Sequence, residues 1–144
     1  EHLKHVKGPL GNQNIKLEPW QCWVVCSVFG WLHDGGERDG KRRFRRSYVE
    51  VPRGNAKSTL SSGIGLYMLG ADGEAGAEVY SLATTRDQAR IVARDAQQMA
   101  RKSPDLMRTL GVKVNAHNMV VERTASKFSR RCARIRNFSG FPSW

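Results

Sequence analysis

The sequence predicts an α/β fold in which a parallel sheet is flanked by helices. Two short runs rich in β-branched or aromatic residues, "SYVEV" and "AEVYSLA", are each followed by a segment with helical spacing of its apolar residues. Strands that alternate with helices favour parallel pairing, because each helix carries the chain back along the sheet. The chain of 144 residues has the length of one ordinary domain.

The first predicted element is a helix that begins at Pro19, because proline suits the first helical position. Apolar residues recur after it at steps of three and four, and "DGG" at residues 34 to 36 ends the pattern. This spacing predicts an amphipathic helix, with Cys22 and Cys26 as small core residues. The apolar positions are Trp20, Trp23, Val24, Val28 and Trp31.

A basic segment at residues 38 to 46 leads into the first predicted strand, which Pro52 ends. A second helix is predicted to begin near Lys57. Gly63 and Gly65 allow its backbone to lie close to a sheet, because they have no Cβ atom. The residues predicted to share one face of this helix are Leu60, Ile64, Tyr67 and Met68.

The second predicted strand covers residues 77 to 83, and a helix with an alanine-rich face follows it. Ser103 and Pro104 close this helix and open a short helical turn that ends at Gly111. The run "VKVNAHNMVVER" predicts a β-hairpin or two short strands. The residues predicted on the alanine-rich face are Ala89, Val92, Ala93, Ala96 and Ala100.

Positive charge dominates the sequence, since Lys and Arg total 24, Asp and Glu total 13, and the formal net charge is +11. This excess favours a polyanionic partner, nucleic acid first, because cationic side chains release the counterions that condense on phosphates. A basic solvated surface is the alternative. No apolar run is long enough for a membrane span, and we expect no secretory signal. The three cysteines lack paired C-x-x-C spacing, which argues against a disulfide framework or zinc site and suits a reducing cytosol.

The stretch "YVEVPRGNAKSTL", residues 48 to 60, has the context of a phosphate-binding loop. A strand precedes it, Pro52 and Gly54 make a turn, and a helix follows whose N-terminus can face phosphates. The loop consensus is G-x-x-x-x-G-K-[ST], and the sequence has Val51 and Ala56 where the consensus has glycine. Ala56 is harmless if its φ is negative, and it costs about 1 kcal/mol or more if its φ is positive.

Three consecutive side chains of this loop have the chemistry that a nucleotide needs. We expect Lys57 to reach the β- and γ-phosphates, Ser58 to ligate Mg²⁺, and Thr59 to contact an α-phosphate oxygen. The fold is therefore predicted to be P-loop NTPase-like. A surface turn capped by Ser58 or Thr59 is the alternative.

Four segments of the chain, in order, resemble the large terminase subunits of tailed phages, the ATPases that package DNA into procapsids. "YVEVPRGNAKSTL" is similar to the variant Walker A segment of that family, which tolerates the missing first glycine and carries an arginine in the loop. "LEPWQ" looks like its adenine-binding segment, "GKRRFRRSYVEVPRGN" matches the approach to the loop, and "EVYSLATTRDQARIV" resembles the strand and helix start that follow. The resemblance covers residues 17 to about 100 and weakens to about 128.

This resemblance implies ATP and Mg²⁺ as cofactors and gives roles to single residues. Gln21 matches the amide that reads the adenine edge, since a side-chain amide can both donate and accept; an exposed helical Gln is the alternative. Arg53 is implied to act with Lys57 in catalysis, beside the γ-phosphate, like an arginine finger supplied in cis; a solvated loop arginine is the alternative. The nucleotide-binding residues implied are Gln21, Arg53, Gly54, Asn55, Ala56, Lys57, Ser58 and Thr59, with Ser58 as the metal ligand.

The resemblance also implies macromolecular partners. The matching segment of related motor folds faces double-stranded DNA after the second strand, so the candidate DNA contacts are Thr84, Thr85, Arg86 and Gln88. The same residues are equally suited to cap a helix and form its first turn. The family works with a portal and a small terminase subunit, as a homo-oligomeric ring around DNA. The implied location is the cytoplasm of a bacterial host, with a phage or prophage origin.

An ATPase of this kind also needs two carboxylates at the end of a buried strand, one for Mg²⁺ and one for the attacking water. The downstream apolar run that ends in an acid is "MVVER", and its Glu122 aligns better with an earlier strand of the family. The family's nuclease domain is not found either. We therefore expect an N-terminal ATPase-domain fragment, incomplete on the C-terminal side of its sheet, that binds nucleotide weakly and has turnover near zero.

The last segment, "SRRCARIRNFSGFPSW" at residues 129 to 144, has four arginines and no acid. We expect that the reading frame is lost near Phe128 or that the chain is a truncated gene remnant. The alternative is a genuine basic tail that is disordered or binds phosphate. The predicted organisation is an adenine-binding helical segment at residues 1 to 40, a partial P-loop ATPase core at residues 41 to 128, and this tail.

Two functions from different classes remain open from the sequence. The first is the ATP-binding part of a viral DNA-packaging motor that couples ATP hydrolysis to DNA translocation. The second is a small basic nucleic-acid-binding module without nucleotide chemistry, whose net charge of +11 is its whole function. The four ordered segments favour the first.

Overall fold

The computed structural model describes residues 3–83 and 85–132, apart from the side chains of Arg86 and Cys132. The chain divides into two compact units. The smaller unit is Ile15–Lys57, and the larger unit combines Glu1–Asn14 with Ser58–Trp144. The described residues of each unit are treated separately.

The larger unit is built on a mixed sheet. Its strands are β1 (Glu78–Ala83), β2 (Val112–Val114), β3 (Asn118–Val121) and β4 (Ser126–Cys132). The described residues form one four-stranded sheet in the order β1-β4-β3-β2. β1 pairs with β4 in parallel, whereas β3 is antiparallel to both β4 and β2. The α/β class and the hairpin at "VKVNAHNMVVER" are confirmed, but parallel pairing is confined to β1 and β4 among these strands.

The strand predicted at "SYVEV" is wrong for the described structure. Residues 47–51 belong to no strand there, and Tyr48 is 87% exposed. A strand needs a neighbour for its N–H and C=O groups as well as β-forming side chains. The alternation of Val49 and Val51 supplies only the second condition.

Three helices accompany this sheet in the described part of the chain: α2 (Lys57–Gly70), α3 (Arg86–Arg101) and α4 (Pro104–Leu110). α3 packs against β1 and β4 through its predicted alanine-rich face, where Ala89, Ala93, Ala96 and Ala100 are each at most 8% exposed. α4 ends at Gly111, which adopts φ 67° as a left-handed C-cap, as the sequence predicted. The helical spacing of small apolar residues thus predicted the main helix–sheet contact.

The apolar face predicted for α2 is wrong, because the buried residues are Ser62, Gly65, Leu66 and Leu69. The Ser62 hydroxyl lies 2.7 Å from the carbonyl oxygen of Ser58 and 2.9 Å from that of Val92 in α3. These hydrogen bonds allow a polar residue to occupy the helix contact. A Cβ added to Gly65 would lie 2.8 Å from Cε1 of Phe128 in β4, so the predicted close approach of helix and sheet is confirmed at Gly65.

The two faces of the sheet differ at β1. Ser81 Oγ donates to the Ala89 carbonyl of α3 at 3.1 Å, so alternate residues of the strand point to the opposite face. On that face Leu82 is 64% exposed, and the Arg131 guanidinium lies 4.4 Å from the centroid of the Tyr80 ring. The Tyr80 hydroxyl donates to Glu78 at 2.8 Å, and this bond raises the pKa of the phenol above its usual value.

The N-terminal segment of the larger unit docks on α3. Lys7 forms an ion pair of 2.8 Å with Asp95, whose side chain is only 10% exposed. Lys102 donates to the backbone carbonyl oxygens of His5 and Val6, at 3.3 and 3.1 Å. Residues 5–7, which precede the smaller unit in the chain, are therefore held by Asp95 and Lys102, which follow it.

The smaller unit begins with α1 (Pro19–Gly30), whose predicted start is confirmed. The helix ends at Gly30, before the predicted limit, and Trp23 is 72% exposed. Cys22 and Cys26 were expected in the core, and this prediction is wrong because both are exposed. The apolar residues of α1 surround the helix instead of forming one stripe, so helical spacing did not identify a buried face.

Candidate functional site

The candidate loop runs from Val51 to Lys57 and has a left-handed backbone at two positions. Gly54 has φ 91° and Ala56 has φ 52°. Glycine adopts such angles freely, whereas a left-handed residue with a Cβ costs about 1–2 kcal/mol. The sequence left the sign of φ at Ala56 open, and the structure shows the strained alternative. Residues 52 to 58 are all exposed, so this backbone is not imposed by core packing.

Lys57 closes this loop upon itself. Its ammonium group donates to the carbonyl oxygens of Val51 and of Pro52, the latter at 2.8 Å. The side-chain amide of Asn55 donates to the same Pro52 carbonyl at 3.2 Å. The positive charge is thus held over the loop by neutral carbonyl groups and remains exposed to solvent.

Ser58 and Thr59 lie in the first turn of α2, directly after this lysine. Ser58 is exposed and Thr59 is half-buried. The carbonyl of Ser58 is the one that the Ser62 hydroxyl approaches, which ties the start of α2 to its next turn. A hydroxyl oxygen is the hard type of ligand that Mg²⁺ prefers, so the exposed Ser58 side chain fits the predicted metal role chemically.

Arg53 occupies the turn of the same loop and is exposed. Gln21, by contrast, is 6% exposed and forms a capping box with Glu18 at the start of α1. Its Oε1 accepts a hydrogen bond from the Glu18 N–H at 3.0 Å. Sequence reasoning missed this capping role, although Gln21 stands three residues after the residue before Pro19, where a capping box has its Glu or Gln.

The candidate DNA contacts lie at the start of α3. Thr85 is the N-cap, and its hydroxyl accepts a hydrogen bond from the Gln88 N–H at 3.3 Å. This is the capping role that the sequence offered as an equal alternative. Thr84 and the side chain of Arg86 lie outside the described residues.

Glu122 lies in a short 3-10 turn after β3 and is exposed. Its carboxylate forms an ion pair of 2.6 Å with Lys113 of β2. An exposed and paired carboxylate lacks the burial that prepares a catalytic base.

The fold and the loop together define a class of protein. A Lys-Ser-Thr sequence at the start of a helix, after a loop with left-handed residues, is typical of P-loop ATPase domains. The chain belongs to the family of the terminase large subunit ATPase domain, whose family model matches residues 19–133. This match includes the loop, Gln21 and all of β4, and it continues past Phe128.

A solved structure agrees with this assignment at the level of the fold. The chain is similar to the crystal structure of the HK97 bacteriophage large terminase, with a TM-score of 0.69 and 18% sequence identity. The alignment covers 99% of this chain and 26% of that terminase, so the chain spans about a quarter of the terminase's length. A search of curated proteins found no match. In the part of the chain that the structure describes, no helix has the length and apolar character needed to cross a bilayer.

Proposed function

We propose that the chain is the ATP-binding part of a phage DNA-packaging motor and that the loop from Val51 to Lys57 binds the phosphates. The observation that carries this proposal is the positive φ of Ala56, an exposed residue whose strain no core contact requires. Strain of this kind concentrates where a backbone is shaped for a ligand. Membership of the terminase ATPase family supports the same assignment.

Lys57 then has two alternative sets of partners. In the structure its ammonium group is held by the carbonyl oxygens of Val51 and Pro52. Phosphate oxygens carry negative charge, so a hydrogen bond from the ammonium group to them adds an ion-pair attraction that a neutral carbonyl lacks. Nucleotide binding is therefore expected to draw Lys57 away from the loop carbonyls, with Ser58 as the Mg²⁺ ligand and Thr59 at the α-phosphate. Bound Mg²⁺ would neutralise charge on the β- and γ-phosphates.

Gln21 and Arg53 complete the proposed site. Because the Glu18 N–H already occupies one lone pair of Gln21 Oε1, the amide NH₂ group is the better placed to meet an adenine acceptor. The exposed guanidinium of Arg53 is proposed to offset charge on the γ-phosphate, as an arginine supplied in cis. Gly54, Asn55 and Ala56 contribute the backbone of the cradle.

The motor's wider functions are also proposals for this chain. We propose that Thr85, Arg86 and Gln88 face double-stranded DNA, and that the chain acts with a portal and a small terminase subunit in a ring in the bacterial cytoplasm. We propose further that the 144-residue chain by itself binds nucleotide without turning it over. The exposure of Glu122 and its ion pair with Lys113 support this proposal, because they make that carboxylate a poor catalytic base.

Calorimetry of ATP binding in the presence of Mg²⁺ tests the proposed site. Lys57→Ala should weaken binding by roughly tenfold to a hundredfold, since a hydrogen bond to a charged group is worth about 1.5–3 kcal/mol. The exposed Lys16→Ala is the matched control and should bind as the wild type does. Ser58→Ala should remove only the part of the affinity that depends on Mg²⁺, whereas Ser61→Ala, on the same helix, should not.

Phosphate release, measured with and without DNA, is the second readout of the same proteins. We expect no release above the background. ATP hydrolysis that Lys57→Ala abolishes would contradict the proposed inactivity while supporting the nucleotide site. Equal ATP affinity of Lys57→Ala and the wild type would overturn the site itself.

A further inference from the structure

One surface of the smaller unit combines cationic and aromatic side chains. We call it the basic hairpin and define it as residues 31–33 with residues 41–48. Its backbone register is fixed by two hydrogen bonds: the His33 N–H donates to Lys41 O at 2.9 Å, and the Arg43 N–H donates to Trp31 O at 2.8 Å. Leu32 lies opposite Arg42 in an antiparallel bridge between these bonds.

The two faces of the basic hairpin have different environments. The Arg42 guanidinium lies 4.6 Å from the centroid of the Phe29 ring of α1, so the face that carries Arg42 is turned towards this helix. Adjacent residues of a strand alternate between faces, so Trp31, Lys41 and Arg43 share the other face. Trp31 is 55% exposed, and Lys41 and Arg43 are exposed as well.

The same combination continues along the chain beyond the paired residues. Five of the six residues from 41 to 46 are Lys or Arg, and the sixth, Phe44, is 44% exposed. The ring of Tyr48 is exposed, while its hydroxyl donates to Glu50 at 3.2 Å. Four of these cations form no ion pair with a carboxylate of the described residues, 3–83 and 85–132. They are Lys41, Arg43, Arg45 and Arg46.

Cations without an ion-pair partner attract any polyanion, but the exposed aromatic rings favour one class of polyanion over the others. Phosphates of a duplex can meet the cations, whereas the faces of its bases are hidden in the stack. A single strand offers phosphates and base faces together, and stacking on an aromatic ring contributes about 1–3 kcal/mol per base. An acidic peptide meets the cations but gains nothing comparable from the rings.

We propose that the basic hairpin binds single-stranded nucleic acid. Lys41, Arg43, Arg45 and Arg46 contact the phosphates, and Trp31 and Tyr48 stack on unpaired bases. This binding is independent of the nucleotide loop and does not require Lys57, ATP or Mg²⁺. It also involves other residues than the proposed duplex contacts at the start of α3.

Fluorescence anisotropy with a labelled oligothymidylate of about 12 nucleotides tests this proposal, with the whole chain and no ATP or Mg²⁺. A duplex of equal length is the comparison, and its binding should not depend on the rings of Trp31 and Tyr48. Arg45→Ser combined with Arg46→Ser should lower the steepness of the salt dependence by about 1.4, because each lost phosphate contact contributes about 0.7. The matched pair Arg94→Ser with Arg101→Ser, exposed on α3, makes the same charge change and should leave the slope unchanged.

The aromatic contribution is measured separately. Trp31→Ala and Tyr48→Ala should each weaken strand binding about tenfold, whereas Tyr48→Phe keeps the ring and should bind as the wild type does. Three results would each overturn the proposal: an equal loss of strand and duplex binding in Trp31→Ala and Tyr48→Ala, no effect of either alanine variant, or an equal loss in the α3 control pair. Competition by polyglutamate as effective as that by the oligothymidylate would also overturn it, in favour of an acidic protein partner. Circular dichroism establishes that each variant is folded.

Discussion

The loop from Val51 to Lys57 and the contact between α2, α3 and the sheet follow opposite physical rules. In the contact, Ala96 and Ala100 are fully buried and Phe128 is 2% exposed. The loop has a strained alanine at φ 52° and no residue from 52 to 57 that is removed from solvent. The first region is shaped by the need to fill space, whereas the second, in the function that we propose, presents backbone and charge to a ligand. A substitution should therefore change stability in the first region and ligand binding in the second.

The largest expected effect comes from emptying the helix–sheet contact. Phe128→Ala should lower the free energy of unfolding by about 3–5 kcal/mol, because it removes a buried ring and leaves a cavity. Leu82→Ala, on the same sheet but at a side chain 64% exposed, is the control and should cost much less. Urea denaturation of both variants gives the difference. Similar losses in the two would show that the ring is not the packed contact described.

A smaller effect is expected when the same contact is overfilled. Gly65→Ala places a methyl group 2.8 Å from the Phe128 ring, which should destabilise the chain by about 1–3 kcal/mol despite the better helix propensity of alanine. Gly63→Ala, whose new Cβ would be 3.4 Å from Leu3, should gain up to about 1 kcal/mol. Thermal melts of the two variants should therefore shift in opposite directions. A stabilising Gly65→Ala would contradict the close approach.

The smallest expected effect is a change in the free energy of unfolding caused by a substitution in the loop. Ala56→Gly removes about 1–2 kcal/mol of left-handed strain from the folded state. It also stabilises the unfolded state by about 0.4–1 kcal/mol, because glycine has more conformational freedom there. The net gain in the free energy of unfolding should be about 0.5–1 kcal/mol. Ala116→Gly, at an exposed loop residue without a positive φ, should instead lose stability. If both variants lose stability equally, Ala56 is not strained.

The sequence predicted the features that are coded locally. Pro19 marked the start of α1, the alanine spacing marked the buried face of α3, and the order of Lys57 and Ser58 marked the loop. Each of these depends on residues close together in the chain, so a pattern of a few positions is sufficient.

Other features depend on partners that are distant in sequence. Ser62 is buried because the carbonyl of Val92 satisfies it, and no local pattern contains that contact. β4 reads "SKFSRRC", which has no strand alternation of apolar residues, and it is a strand because β1 and β3 pair with it on both sides. At the site, the φ of Ala56 was out of reach of the loop motif, which specifies residue types and not backbone angles, whereas the capping bond of Gln21 to Glu18 is local and had a sequence signal.

The position of β4 also has a consequence for synthesis on the ribosome. β4 is the last described strand to be made, yet it lies between β1 and β3 in the sheet. Until residues 126–132 leave the exit tunnel, β1 cannot pair with β4, its neighbour in the described sheet, and the part of the α3 face that packs on β4 is uncovered. Folding of the larger unit is therefore expected to wait for this strand, because non-local pairing cannot begin before both partners exist. A nascent chain halted before Ser126 would expose the part of the alanine face of α3 that β4 covers to chaperones, and the emergence of residues 126–132 from the tunnel would hide it.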